Sequence, residues 1–87
     1  MEKRHHNLIA IGKKIKKLRL KRQYSQEILA HDAQLGRGYY GRVERGEQNL
    51  SIQNLIKIAM ILQTDPANLL PPLRNLKMPP AAKNVNR

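Results

Sequence analysis

Between Ser25 and Gly46 the chain reads SQEILAHDAQLGRGYYGRVERG, in which three arginines and two tyrosines are interleaved with four glycines. Arginine is a permanent cation with a planar fork of donors, so Arg37, Arg42 and Arg45 suit anionic or acceptor-rich partners. The whole chain leans the same way. Seventeen Lys and Arg against six Asp and Glu give a net charge of +11 over 87 residues, with nine of those cations within residues 1–22. Such an excess favours polyanions, and composition by itself leaves DNA, RNA and anionic lipid open. Catalysis has no comparable support: His5, His6 and His31 lack metal-ligand spacing with carboxylates, and no Ser-His-Asp set, carboxylate pair or phosphate-loop pattern is present. The sequence therefore predicts no enzyme, no catalytic residue, no metal, no cofactor and no small-molecule ligand.

Gly38 and Gly41 stand inside a segment that otherwise reads as helix, where each costs about 1 kcal/mol relative to alanine. The elements around them must explain why. Ile11, Ile15, Leu18 and the stem of Arg22 recur at helical spacing and predict a first helix over residues 8–22, with Lys13, Lys14, Lys16, Lys17 and Lys21 on its other face. Ser25 is an N-cap for a second helix over 26–33, in which Leu29, Ala30 and Ala33 face inward. Gln34, Leu35 and Gly36 form a turn, and a third helix runs on to Arg45 and is ended by Gly46. Ser51 caps a fourth helix over 52–63, with Ile52, Leu55, Ile58, Ala59 and Leu62 on one face. Asp65 and Pro66 open a short fifth helix that Pro71 stops. No segment of any length alternates with period two. The expectation is an all-α, compact five-helix domain over residues 8–70, between a basic N-terminal arm (1–7) and a Pro-rich basic C-terminal tail (71–87). Without cysteines, a signal-peptide pattern or an apolar run near the ~18 residues of a membrane span, the chain reads as cytoplasmic. The lysines of the first helix do not suit a membrane surface either, because Ile11, Ile15 and Leu18 are needed for the core and aromatic anchors are missing.

The second helix, the short turn and the third helix have the layout of a helix-turn-helix. With IGKKIKKLRLKRQYSQEILA and LGRGYYGRVERGEQNLSIQNLIKIAMIL in register, the chain resembles the Cro and lambda-repressor-like (Xre) family over about residues 8–70. The most specific pieces are the Ser-Gln-x-x-Leu-Ala of Ser25 to Ala30, and Val43-Glu44-Arg45-Gly46 followed by Asn49-Leu50-Ser51. The resemblance implies a lambda-repressor-like fold with its helix-turn-helix at helices two and three. It implies a sequence-specific transcriptional regulator of double-stranded DNA, a homodimer on a two-fold operator, similar to small phage repressors and restriction-modification controller proteins. By position it implies base contacts from Arg37, Gly38, Tyr39 and Arg42, with Arg37 placed to grip guanine O6 and N7. Phosphate contacts fall to Gln26, Tyr39, Arg45, Asn49, Ser51 and Asn54. Arg19 and Glu44 match a structural ion pair between the first and third helices, and Tyr40 matches a core position. The glycines then have a use: Gly36 would let the turn approach closely, and Gly38 and Gly41 would clear the groove-facing side.

The sequence departs from the family pattern at several positions. Gln34 replaces the glycine usual in the turn, where a left-handed backbone is expected, and Gly36 replaces the usual Ser or Thr cap. Ile28 and Met60 stand where polar residues are general. Met60, Thr64, Leu69, Leu70 and Leu73 are apolar enough, in so small a domain, to predict the dimer interface. An antitoxin or coactivator-type protein-interaction module on the same fold is the alternative, and an exposed apolar patch around Leu20 and Ile28 would favour it.

Overall fold

A computed structural model of the chain describes residues 5–80. Four α-helices follow in order, α1 (His6–Lys21), α2 (Gln26–Asp32), α3 (Arg37–Glu44) and α4 (Ile52–Ile61), then 3₁₀ turns at Pro66–Leu69 and Leu73–Asn75. There is no strand among the described residues. The predicted fifth helix is the first of these 3₁₀ turns.

Local chemistry sets the starts. Ser25 Oγ accepts from Ile28 N at 3.0 Å, and Ser51 Oγ accepts from Asn54 N at 3.1 Å, each satisfying an orphan donor of the first turn. α1 begins two residues before the apolar periodicity does, because His5 Nδ1 accepts from Asn7 N at 3.1 Å and caps it. Residues 5–7, expected in the arm, are thus a cap and a first turn; residues 1–4 lie outside the described part.

The ends share one device. Gln23 (φ 64°), Gln34 (φ 60°), Gly46 (φ 74°) and Gln63 (φ 56°) are left-handed, one after each α-helix. The next residue's N–H then returns to the helix: Tyr24 to Arg19 O, Leu35 to Ala30 O, Glu47 to Arg42 O and Thr64 to Ala59 O, at 2.8–3.1 Å. This is the Schellman closure, which glycine accepts most readily. Glycine is obligatory only at 46, where a Cβ would lie 2.7 Å from Ile9 Cα, backbone that cannot yield. The three glutamine side chains are exposed, so each turn bears only the left-handed strain.

The core is built from Ile15 of α1, Leu29 and Ala30 of α2, Ala33, Tyr40 and Val43 of α3, Leu55, Ile58 and Ala59 of α4, Leu62 and Leu69. Ile11 and Leu18 pack partly against it. Two expectations change. Ile52, expected on the inner face of the fourth helix, is 69% exposed, whereas Leu55 in the same turn is buried. Leu69, expected in a dimer interface, is fully buried. The three-residue period of a 3₁₀ turn brings Leu69 onto the inward side with half-buried Pro66. The segment after it is not free. Pro71 is buried, Asn75 O meets His6 Nε2 at 2.9 Å, and Asn7 exchanges two hydrogen bonds with the Lys77 backbone, at 2.7 and 2.9 Å. Residues 71–77 therefore wrap the start of α1, while 81–87 lie outside the described part.

Relief of strain and loss of space should separate the helix-end residues in thermal melting. Gln34→Gly should raise stability by up to about 1 kcal/mol. Gly46→Ala should lower it by more than about 2 kcal/mol, because strain and overpacking coincide there.

Candidate nucleic-acid interface

The position of α3 follows from two contacts on its inner side. The first is steric. A Cβ on Gly12 of α1 would meet Glu44 O at 2.5 Å and Val43 O at 2.6 Å, so α1 lies directly on the last carbonyls of α3. The second is a buried polar network. Arg19 forks onto Glu44, Nε to Oε2 at 2.6 Å and Nη2 to Oε1 at 3.2 Å. Tyr40 Oη donates to Oε2 at 2.6 Å, and Gln26 Nε2 donates to Oε1 at 2.8 Å. The remaining Arg19 nitrogen, Nη1, donates to Tyr24 O at 2.8 Å. Among the described residues, no buried side-chain nitrogen or oxygen lacks a partner.

Burial pushes the Glu44 carboxyl up, but the bonds from Arg19, Tyr40 and Gln26 more than offset this and hold it below its ordinary value. The bond to Glu44 raises the Arg19 guanidinium further. Burial, and then donation to Glu44, push the Tyr40 phenol well above its ordinary value.

With Tyr40, Val43 and Glu44 turned inward, α3 exposes Arg37, Gly38 and Arg42, followed by Arg45 at its end, and leaves Tyr39 half-buried. Gly41 is buried beneath the guanidinium groups of Arg37 and Arg45: a Cβ there would stand 2.8 Å from Arg37 Nη1 and 3.3 Å from Arg45 Nη1. Gly38 is open apart from Arg42 Nη1 at 3.6 Å. Gly36 differs from expectation, since nothing lies within 4 Å of its would-be Cβ and no close approach within the chain requires it.

The starts of the neighbouring helices are tied to α3. Gln26, in the first turn of α2, spends one amide hydrogen on Glu44 and keeps a second. Asn54 Nδ2 donates to Tyr39 Oη at 3.0 Å, which leaves the tyrosine proton available to an outside acceptor. Ser51 caps the same turn, and Asn49 is exposed just before it. The structure thus brings Tyr39, Ser51 and Asn54 together on one side of α3 and Gln26 to the other. This layout offers donors and guanidinium groups to an extended polyanion and contains no nucleophile–base pair. Among the described residues no group of three His, Asp or Glu is placed to hold a metal ion, and no helix is long and apolar enough to cross a membrane.

Sequence reasoning missed several of these partners. Tyr40 and Gln26 join the Arg19–Glu44 pair. The exposed arginines also have neighbours: Arg37 Nε is 3.5 Å from Glu27 Oε2, Arg42 Nε donates to Gln48 Oε1 at 3.2 Å, and Arg45 Nε donates to Glu47 Oε1 at 3.1 Å. Away from this face, Met60 (71%), Leu73 (85%) and Leu70 (44%) are exposed, and half-buried Thr64 accepts from Asn68.

Residues 15–69 match the protein family described as Helix-turn-helix. Control protein C.BamHI of Bacillus amyloliquefaciens is 40% identical over 63 residues, which cover 71% of this chain and 78% of that protein. The crystal structure of the restriction-modification controller protein C.AhdI from Aeromonas hydrophila superposes with a TM-score of 0.71 at 40% identity, covering 72% of this chain and 96% of that one. SinR of Bacillus subtilis, the master regulator for biofilm formation, is also similar. Its structure in complex with DNA gives a TM-score of 0.65 at 37% identity and covers 68% of this chain and 95% of that one.

The network makes stability depend on pH from both sides. Glu44 is depressed in the folded chain, so its contribution is present above its ordinary value of 4.5 and is lost as pH falls through the lower folded value. Tyr40 is raised, so its contribution is present below its ordinary value of 10.0 and is lost as pH climbs toward the folded one. Thermal melting across roughly pH 3 to 11 should show Glu44→Gln flattening the acid limb and Tyr40→Phe flattening the alkaline limb. Glu44→Ala, which strands a buried Arg19, should cost about 3–5 kcal/mol.

Proposed function

The chain belongs to the helix-turn-helix family of DNA-binding transcriptional regulators, and from that membership we propose that it acts as a homodimer on a two-fold operator, with α3 as the helix that reads the major groove. The observation that carries this reading is the asymmetry of α3. Its inner face is locked through Glu44, while Arg37, Gly38 and Arg42 face outward. Arg37, at the first helical position, enters the groove first and takes guanine O6 and N7 with two parallel bonds. Gly38 lets the backbone come close to the base edges, and Tyr39 and Arg42 complete the base-facing row.

Phosphates are held on both sides of that row. Gln26 supports one strand with its second amide hydrogen and the free N–H groups at the start of α2. Tyr39, Asn49, Ser51 and Asn54 clamp the other around the start of α4, and Arg45 adds charge at the end of α3. Met60, Leu70 and Leu73, with Thr64 between them, pair two copies so that their α3 helices sit one DNA turn apart, about 34 Å. Residues 8–70 form the reading domain, and the segments on either side of it add positive charge. The similarity to controller proteins supports regulation of restriction-modification genes. Leu20 and Ile28, 56% and 55% exposed, favour a second reading in which a protein partner docks on α1 and α2.

Selection of bound sites from random duplex DNA yields the operator on which the reading is tested. If each subunit neutralises three to five phosphates, the slope of log K against log[salt] should be roughly −5 to −9 for the dimer, and a slope shallower than about −2 would rule out this mode of binding. Arg37→Ala should weaken operator binding by about 1–3 kcal/mol and leave scrambled DNA nearly unaffected. Sedimentation of a Met60→Asp, Leu73→Asp variant should show monomer, whereas an intact dimer would place the interface elsewhere.

A further inference from the structure

Each arginine presented by α3 already has a partner, and two of the three partners are carboxylates. Glu27, at 3.5 Å from Arg37, sits in the first turn of α2 directly after Gln26. Glu47, at 3.1 Å from Arg45, sits in the loop that leads to Asn49. They bracket α3 at its two ends. The chain has only six acidic residues, and two of them stand beside the groups assigned to DNA, on a surface meant for a polyanion. Glu27 has an ordinary use as an acid in a helix first turn, but its carboxylate also reaches across to α3. Its own backbone N–H and then Arg37 hold it below its ordinary value.

Building on the DNA reading of α3, we infer that Glu27 determines specificity and Glu47 restrains phosphate binding in general: Glu27 keeps Arg37 from neutralising phosphates on non-cognate DNA and releases it only for a guanine in register, while Glu47 holds Arg45 back on any duplex. The physics is a competition. Binding to an arbitrary duplex is driven by phosphate neutralisation with release of counterions. A guanidinium closed on a carboxylate brings no net charge to that process, and the carboxylate itself repels the backbone. Both pairs are solvent-exposed, with side-chain accessibilities of 47% and 72% for Arg37 and Glu27 and 57% and 36% for Arg45 and Glu47. Pairs of this kind are weak enough to open when something better is offered. A correctly placed guanine offers two aligned acceptors that match the fork. On a wrong sequence no base edge does so, the pair stays closed, and the encounter is left without that cation.

The test uses the whole chain, the selected operator and a scrambled duplex of equal length, titrated across a salt series with thermal melting as the check on folding. In the Glu27→Gln, Glu47→Gln variant, affinity for the scrambled duplex should rise about tenfold and its salt slope should steepen by about 2 per subunit, or up to about 4 for the dimer. Affinity for the operator should rise only about twofold, so discrimination falls by about fivefold. Glu27→Gln alone should account for most of the lost discrimination, because Arg37 is the arginine that a base edge can claim. Equal gains on the two duplexes, or no gain on either, overturn the proposal while a wild-type preference for operator leaves the DNA reading standing. Wild-type protein that does not separate operator from scrambled DNA overturns the DNA reading itself and this proposal with it.

Discussion

The carboxylate of Glu44 receives four hydrogen bonds from three side chains, and those side chains belong to α1, α2 and α3. A charge removed from water is tolerable only when its lone pairs are engaged and an opposite charge is near, and both conditions hold here. Such a pair is a poor source of net stability compared with apolar packing. Its value lies in geometry, because every donor is directional and each comes from a different helix. Moving α3 by a fraction of an ångström against α1 or α2 would loosen at least one bond in a place that water does not reach.

From this anchor the rest of the face follows. Gly12 brings α1 onto the final carbonyls of α3, and the Tyr39–Asn54 bond ties the other side of α3 to α4. The inner half of the helix is therefore rigid before any partner arrives, which reduces the ordering cost of association. The outer half is different in kind. Its arginines are held only by exposed contacts, which can be exchanged for contacts with a partner. Rigid backbone with exchangeable side chains is what a reader of varied sequences needs.

Much of the scaffold was legible in the chain because it depends on short-range chemistry. Apolar spacing marked α1 and α4, Ser25 and Ser51 marked the starts of α2 and α4, and the turn after α2 was expected to be left-handed at Gln34. The ion pair of Arg19 with Glu44 was reachable only through resemblance, since twenty-five residues separate the two and no local pattern links them. Tyr40 was expected in the core, where it lies, and Gln26 on phosphate, and only the packed geometry shows that both meet one carboxylate. Leu69 was misplaced because apolar character near the end of a small domain does not tell an inward side chain from an interface one, and Ile52 because a periodic stripe does not reveal where the core ends. The bonds of His6 and Asn7 to residues near position 75 were invisible for the same reason as the ion pair: they join distant parts of the chain.

The left-handed glutamines at 23, 34 and 63 have a consequence for the protein's lifetime. Each leaves roughly 1 kcal/mol ungained, in a small domain whose whole margin is about 5–15 kcal/mol. A chain held that near its threshold spends a larger fraction of time unfolded, and in a cell it is the unfolded fraction that proteases remove. Any partner that binds only the folded form shifts that balance by mass action. For a DNA-binding regulator of marginal stability, bound molecules would then be the long-lived ones, and surplus copies would be cleared first. Helix ends of this kind thus tie the turnover of a regulator to its occupancy.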